Sequence, residues 1–162
     1  MRALQRLECD AALSAGVNMI LDPGTMRGNA VAGFTSIRGR SHTFDARADG
    51  YARGEACGAV ALRGGAASVG LGLLGSAVRQ DGRSASLTAP NGQAQQGLLV
   101  AAMRDAGVSA DALSLHEAHG TGTALGDPIE AGSLVGAALA SREDSPLVAG
   151  GVKANIGHAE PS

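Results

Sequence analysis

The chain has few aromatic residues, few cysteines and no excess of charge of one sign. Its 162 residues include no tryptophan, and its aromatic side chains are Phe34, Phe44 and Tyr51. The two cysteines, Cys9 and Cys57, give neither a disulfide framework nor a metal-ligand spacing, and they fit a reducing intracellular setting. A formal net charge of −2 does not favour a nucleic acid or an anionic membrane as partner.

Long apolar runs are also absent from the sequence. Charged residues interrupt the N-terminus, so we expect no secretory leader, and no stretch of 18 apolar residues predicts a transmembrane helix. Hydrophobic residues make up 44% of the chain, which is typical of a folded globular domain. Because 25 residues are glycine and large side chains are few, the predicted core is small and its stability marginal. We expect one cytoplasmic domain.

The first half of the chain mixes short predicted elements with loops. Apolar spacing predicts the end of a helix over 1–8 and a buried strand over 9–17. Glycine, proline and asparagine predict a loop, with room for one helical turn, over 22–33. Residues 36–54 are predicted to be a long irregular segment, of the kind that is usually functional. Two strands joined by a hairpin turn, 56–62 and 69–76, are predicted to follow.

In the second half, predicted strands alternate with helices. One helix presents apolar residues at helical spacing from Leu98 to Ala106 and is expected to end at Gly107. A short strand is predicted over 112–115 and a final strand over 147–152. Between them, Asp127 as N-cap, with Pro128 and Glu130 after it, predicts a helix that begins with a capping box. This alternation indicates the α/β class.

One candidate site is the glycine-rich stretch 117–123, which contains His119. It lies between a predicted strand and a predicted helix, where ligands of open α/β sheets bind. A histidine there is able to donate a hydrogen bond to a carbonyl or a developing oxyanion, and threonine hydroxyls pair with substrate amides. A glycine-rich turn with a structural histidine explains the same pattern equally well. The stretch does not have the spacing of a phosphate-binding P-loop or of a dinucleotide fingerprint.

A second candidate is the stretch 153–158, which runs from Lys153 to His158 after the last predicted strand. A nearby ammonium group disfavours the protonated imidazole, so His158 is expected to stay neutral and to act as an electrophile. The alternative is a surface lysine followed by a capping histidine. His42 is expected to be solvated, and His116 is expected to pack or to face solvent.

Neither cysteine has the surroundings of a nucleophile. Cys9 lies in an apolar run between two carboxylates, and burial and negative charge both raise the pKa of a thiol. Cys57 starts a predicted strand and lies at no helix N-terminus. We interpret both as small structural hydrophobes.

Five segments, in order along the chain, resemble the β-ketoacyl synthase (ketosynthase) family of modular polyketide and fatty-acid synthases. They are 8–18 (ECDAALSAGVN), 44–55 (FDARADGYARGE), 80–92 (QDGRSASLTAPNG), 117–130 (EAHGTGTALGDPIE) and 152–161 (VKANIGHAEP). The stretch 117–130 is nearly the full family signature. The resemblance covers essentially the whole chain, and five ordered matches make chance a poor explanation.

The resemblance implies the thiolase-like fold, a layered α-β-α-β-α sandwich of two related halves. It implies a decarboxylative Claisen condensation between acyl and malonyl-type thioesters, with the extender carried on acyl carrier protein. The family's two histidines match His119 and His158, its active-site lysine matches Lys153, and its phosphopantetheine-lining threonines match Thr121 and Thr123. No metal and no directly bound cofactor is implied, since phosphopantetheine arrives on the carrier protein. The full domain is expected to be a homodimer.

The chain also departs from the family pattern. The resemblance places residues 1–162 as a partial domain, because the family's "DTACSSS" nucleophile segment and its glycine-rich "GFGGTN" strand are missing from the sequence. Leu7, Ala56 and Arg79 replace usual family residues, and the stretch 63–69 is shortened. We therefore expect no acyl transfer and no condensation by this chain alone. Two alternatives remain at this point: a non-catalytic ketosynthase-like partner chain, and a partial gene product without independent activity.

Overall fold

The structure, a computed structural model, describes residues 2–65, 70–86, 88–143 and 146–160. These ranges contain five α-helices, four β-strands and two short 3-10 helices. The helices are α1 (Arg2–Gln5), α2 (Pro23–Val31), α3 (Gly92–Ala106), α4 (Gly126–Ala137) and α5 (Lys153–Ile156). The strands are β1 (Ala11–Asn18), β2 (Ala56–Arg63), β3 (Leu115–Glu117) and β4 (Val148–Gly150). No helix in the described part of the chain is long and apolar enough to span a membrane.

Strands β1 and β2 form an antiparallel pair in which Ala11 lies opposite Arg63 and Asn18 opposite Ala56. The strand predicted over 9–17 is therefore confirmed, but its predicted burial is wrong. Leu13 is 74% exposed, because β2 is the only strand that pairs with β1 in the described ranges. The predicted hairpin of 56–62 with 69–76 is also wrong. Strand β2 pairs with β1, residues 70–76 form no strand, and Val69 lies outside the described residues.

Helix α2 occupies most of the stretch that was predicted to be a loop over 22–33. Asp22 has an extended backbone, and Pro23 takes the first helical position, where its fixed φ and missing N–H are tolerated. Two glycines and an asparagine follow within the helix, and their weak helix propensity hid it from the sequence prediction. No residue of α2 is buried, so packing within this chain gives it little support.

Helix α3 agrees with the sequence prediction at its C-terminal end. The left-handed backbone of Gly107, with φ at 67°, ends the helix as expected. At the other end, the side chain of Asn91 accepts a hydrogen bond from the Ala94 N–H at 3.2 Å and caps the first turn. Helix α3 packs on α4, where Ser133 donates a hydrogen bond to the Gly92 carbonyl at 3.0 Å. Leu134 of α4 is buried beside this contact.

Strands β3 and β4 form a short parallel pair in which Leu115 lies opposite Val148 and Glu117 opposite Gly150. The predicted strand over 112–115 begins too early, because residues Ala110–Ala112 form a 3-10 helix. The strand predicted over 147–152 is real but shorter. Since the two strands run in parallel, their carboxyl ends meet at one edge, and both histidine motifs start there.

Helix α4 begins at Gly126, and the capping box predicted at Asp127 and Glu130 is wrong. Leu125 precedes the helix and makes no side-chain cap. The loop before α4 folds back over the first turn of the helix, so both carboxylates accept hydrogen bonds from N–H groups of other segments.

Candidate active site

His119 and His158 lie side by side where β3 and β4 end. Their ring centroids are 5.5 Å apart and the ring planes are nearly perpendicular, at 86°. His119 is exposed, whereas His158 is half-buried. The two motifs that were predicted separately from the sequence therefore come together, with the two imidazole rings edge to face.

Backbone pairing fixes the position of His158. Its N–H donates to the Ala52 carbonyl at 2.7 Å, and its carbonyl accepts from the Gly54 N–H at 2.9 Å. The Glu160 N–H donates to Nδ1 of His158 at 3.2 Å. Because Nδ1 accepts this bond, the proton of the neutral ring resides on Nε2. His158 therefore presents an N–H donor on the edge of the ring away from the backbone.

Burial lowers the pKa of His158 below its usual 6.5, and the nearby His119 and Lys153 lower it further. The Glu160 carboxylate acts in the opposite direction but does not dominate. The ring is therefore neutral at neutral pH. The sequence-based prediction that Lys153 favours a neutral imidazole is confirmed, although burial is the larger cause.

Glu160 anchors the segment that carries His158. Its carboxylate forms a two-point ion pair with Arg53, at 3.1 Å to Nε and 2.9 Å to Nη2, and it accepts the Tyr51 hydroxyl at 2.9 Å. The Arg53 side chain is only 6% exposed. Burial and the hydrogen bond to Glu160 raise the pKa of Tyr51 to about 12. The Tyr51 ring also lies edge-on against His158, at 5.2 Å between centroids.

Two carboxylates of α4 hold the loop that carries His119. Glu130 accepts the N–H of His119 at 2.6 Å and the N–H of Gly120 at 2.8 Å. Asp127, which is buried, accepts the N–H groups of Gly122 at 3.0 Å, Thr123 at 3.2 Å and Phe44 at 2.8 Å. Consecutive N–H groups that share one carboxylate fix the course of the loop.

Thr43 connects the long irregular segment to the loop that follows β3, at Gly120, and lies against Gly151, which follows β4. Its hydroxyl donates to the Gly120 carbonyl at 2.5 Å. A Cβ on Gly120 or on Gly151 would lie within 2.8 Å of the Thr43 side chain, so both positions require the absence of a side chain. Between 36 and 54 the structure has no helix and no strand ladder, as predicted.

The other predicted site residues lie around the pair rather than in it. Lys153 is half-buried and lines a polar cavity next to α5. Thr121 is 7% exposed. Thr123 lines a separate cavity of about 350 Å³ beside Phe44, and its hydroxyl accepts the Gly126 N–H at 3.1 Å. The structure brings His119 and His158 together, and the cavity that Thr123 lines includes neither histidine.

Neither cysteine lies at a helix N-terminus. Cys57 is exposed within β2 and Cys9 is half-buried just before β1. A buried packing role for Cys57 is therefore wrong within this chain.

His42 is half-buried. Nε2 of His116 is buried without a hydrogen-bond partner in the described residues. Among those residues, no group of three or more His, Cys, Asp or Glu side chains is arranged to hold a metal ion.

Sequence reasoning missed the residues that position the pair. Tyr51 and Arg53 stand more than 100 positions before Glu160 in sequence, so no local pattern shows their contact. Each lies in one of the family-like segments, 44–55 or 152–161, and that was the available signal.

Comparison with known proteins gives a consistent result over the whole chain. Residues 72–162 match the model of the β-ketoacyl synthase C-terminal domain, and residues 1–67 match that of the N-terminal domain. The chain is 46% identical over 167 residues to a phenolphthiocerol/phthiocerol polyketide synthase of Mycobacterium tuberculosis, with 98% of the chain and 9% of that protein covered. It is 44% identical over 166 residues to erythronolide synthase EryA2 of Saccharopolyspora erythraea, with 99% of the chain and 5% of that protein covered.

Solved structures agree on the fold. The oxazolomycin ketosynthase domain OzmH KS7 of Streptomyces albus JA3453 superposes with a TM-score of 0.90 at 35% identity, covering 97% of this chain and 28% of that one. The ketosynthase from module 6 of the bacillaene synthase of Bacillus subtilis 168 gives a TM-score of 0.88 at 32% identity, covering 98% and 30%. The predicted thiolase-like α/β fold is confirmed for this part of the domain. The chain spans less than a tenth of these curated relatives and under a third of these solved chains. It belongs to the β-ketoacyl synthase family and corresponds to part of a polyketide synthase ketosynthase domain.

Proposed function

We propose that this chain supplies the histidine half of a condensing site, in which His119 and His158 stabilise the enolate that forms when a malonyl-type thioester loses carbon dioxide. In that step the carboxylate leaves as CO₂, and its bonding electron pair moves toward the thioester carbonyl oxygen. Two N–H donors aimed at that oxygen lower the barrier. The enolate carbon then forms a bond to an acyl thioester carbon and expels the thiolate.

The observation that carries the proposal is the neutral, oriented imidazole of His158. Its Nδ1 accepts the Glu160 N–H, so Nε2 is left as donor, and burial keeps the ring uncharged. The neutral ring therefore has one N–H, on Nε2, to donate to the carbonyl oxygen. His119, 5.5 Å away between ring centroids, provides a second donor for the same oxygen. In this proposal the charge of Lys153 adds to burial in keeping the His158 ring neutral.

The remaining components come from outside this chain. We infer that the nucleophilic cysteine belongs to a segment beyond residues 1–162, since neither Cys9 nor Cys57 lies at a helix N-terminus. Acyl carrier protein would deliver the malonyl group on phosphopantetheine, along a path that includes Thr121 and Thr123. The family resemblance supports this path, a homodimeric full domain and a cytoplasmic setting. The Mycobacterium tuberculosis relative is named a polyketide synthase, which favours polyketide synthesis over fatty-acid synthesis.

A decarboxylation assay tests the histidine half separately from the cysteine. The chain is incubated with malonyl-pantetheine, and formation of acetyl-pantetheine is followed by mass spectrometry. We expect His158→Ala to slow the reaction about 100-fold, the usual effect of removing one donor to an oxyanion. His42→Ala is the matched control and should leave the rate unchanged. A wild-type rate equal to that of buffer, or of His158→Ala, would reject the proposal.

An acylation assay tests the inferred origin of the nucleophile. Incubation with an acyl-thioester donor is expected to leave both Cys9 and Cys57 unmodified at neutral pH, as shown by intact mass. A stable acyl adduct on either thiol would show that this chain carries its own nucleophile, without affecting the conclusion about the histidines.

A further inference from the structure

A strongly cationic cavity lies next to α5, on the segment that leads to His158. It has a volume of about 540 Å³, within the range of small-molecule sites. Four cationic side chains line it, and none of its lining residues is acidic. The four are Arg38, Arg40, Arg53 and Lys153. This concentration of positive charge contrasts with the net charge of −2 of the whole chain.

Two of the four cations already have carboxylate partners. Arg53 pairs with Glu160 at 2.9 Å, and Arg38 lies 3.8 Å from Asp49. Arg40 and Lys153, in contrast, form no ion pair and no side-chain hydrogen bond with the residues that the structure describes. The cavity therefore keeps about two uncompensated positive charges, which matches the charge of a dianion.

Close backbone contacts join the segments that line the cavity. A Cβ on Gly54 would lie 2.7 Å from the Ile156 carbonyl oxygen, so the two wall segments leave no room for a side chain between them. The hydroxyl of Ser41, which is 1% exposed, accepts a hydrogen bond from the Ala52 N–H at 3.0 Å. This bond joins the lining segment 38–41 to the lining segment 52–53. The segments that carry Arg40, Arg53 and Lys153 are therefore joined to one another beside the cavity.

We propose that this cavity binds an anionic oxygen group of the phosphate or carboxylate class, held by Arg40 and Lys153. The guanidinium of Arg40 offers paired N–H donors to two oxygens of such a group, and the Lys153 ammonium acts as a second point charge. His158 is not among the residues that line the cavity, and the inference stands without the decarboxylation chemistry.

Calorimetric titration of the chain at low ionic strength tests the proposal. The probes are inorganic phosphate and malonate, with acetate as a monoanion. We expect a dianion to bind in a single step and acetate to bind at least tenfold more weakly. A preference for phosphate would assign the site to phosphate esters, and a preference for malonate would assign it to dicarboxylates. Binding should weaken with added salt because the cations are partly exposed.

Variants at Arg40 provide the decisive comparison. Arg40→Gln is expected to weaken dianion binding about tenfold, the usual loss for one charge-assisted hydrogen bond, and Arg40→Lys should recover most of it. Arg104→Gln, at an exposed position of α3 and outside the cavity lining, is the matched control. The absence of dianion binding to the wild-type chain would overturn the proposal. Equal binding by Arg40→Gln and the wild type, with unchanged circular dichroism, would do the same.

Discussion

Replacement of Glu160 by glutamine should destabilise the chain more than the loss of any other single ion pair that the structure describes. Glu160 joins the irregular segment to the last turn through Tyr51 and both nitrogens of the Arg53 fork. The side chains of Arg53 and Glu160 are 6% and 23% exposed, so water replaces the lost carboxylate poorly. Glutamine keeps the size and one oxygen acceptor but removes the charge.

The magnitude follows from burial rather than from distance. Removal of one partner from a fully buried ion pair costs about 3–5 kcal/mol, because the other charge is left uncompensated. Glu160 is partly exposed, and the glutamine oxygen still accepts one hydrogen bond. We therefore expect a loss of about 2–3 kcal/mol in the free energy of unfolding. For a chain of this length that corresponds to a decrease in Tm of about 4–12 °C.

Thermal unfolding followed by circular dichroism at pH 7 measures this effect. The matched control is Asp45→Asn, which breaks the ion pair between Asp45 and Arg47. That pair is shorter, at 2.6 Å, but its side chains are 32% and 64% exposed. Exposed ion pairs contribute little to stability, so we expect no measurable change in Tm for the control.

Two results would refute the reasoning. A Tm for Glu160→Gln within 1–2 °C of the wild type (roughly under 1 kcal/mol) would show that water or a neighbour compensates Arg53. An equal loss in the Asp45→Asn control would show that distance, and not burial, determines the contribution of these pairs.

Three further predictions concern the loops of the site, and one concerns α2. Glu130 accepts hydrogen bonds from two N–H groups, and Glu130→Gln leaves one of them without an acceptor. We expect the free energy of unfolding, measured by urea denaturation, to fall by about 1–2 kcal/mol and the decarboxylation rate to fall with it. Gly122→Ala should lower the free energy of unfolding by about 2–4 kcal/mol, because φ of Gly122 is +82° and the new Cβ would lie 2.6 Å from the backbone nitrogen of His42. Gly28→Ala, in open space on α2, should instead stabilise by up to about 1 kcal/mol. The pKa of His158 is lowered in the folded state, so below pH 6.5 the unfolded chain binds more protons than the folded chain. The free energy of unfolding should therefore fall as the pH decreases from 6.5. The decrease should be smaller in His158→Gln.

Local sequence signals predicted the C-terminal end of α3. Gly107 ends α3 in the left-handed conformation, as its position after an apolar face indicated. Helix α2 was missed because its stability does not come from propensity, and residues such as Gly24 and Gly28 favour a loop locally. The partner of β2 was also missed, since strand pairing over about 40 residues, as between Val17 and Cys57, leaves no local trace.

The candidate site was predictable as two motifs but not as an assembly. His119 and His158 each follow a strand, and the parallel pairing of β3 with β4 brings those strand ends together. The capping box was a reasonable expectation for Asp127 and Glu130, because both residue types favour the first turn of a helix. The expectation failed because other N–H groups compete for the same carboxylates, at 2.6 Å in the case of His119.

The apolar core of this chain is too small to hold the site rigid by itself. In the described ranges, buried hydrophobic residues are few and mostly alanine: Leu4, Ala118, Leu134, Ala137 and Ala138. Carboxylates hold the loops that carry the histidines instead. Asp127 and Glu130 of α4 together accept hydrogen bonds from five backbone N–H groups, and Glu160 accepts hydrogen bonds from a buried guanidinium. Charge-assisted hydrogen bonds are directional, whereas apolar packing is not. Polar substitutions at these carboxylates should therefore disturb the geometry of the site. For an equal disturbance of the site, they should lower the free energy of unfolding less than truncation of a buried hydrophobic residue such as Leu134.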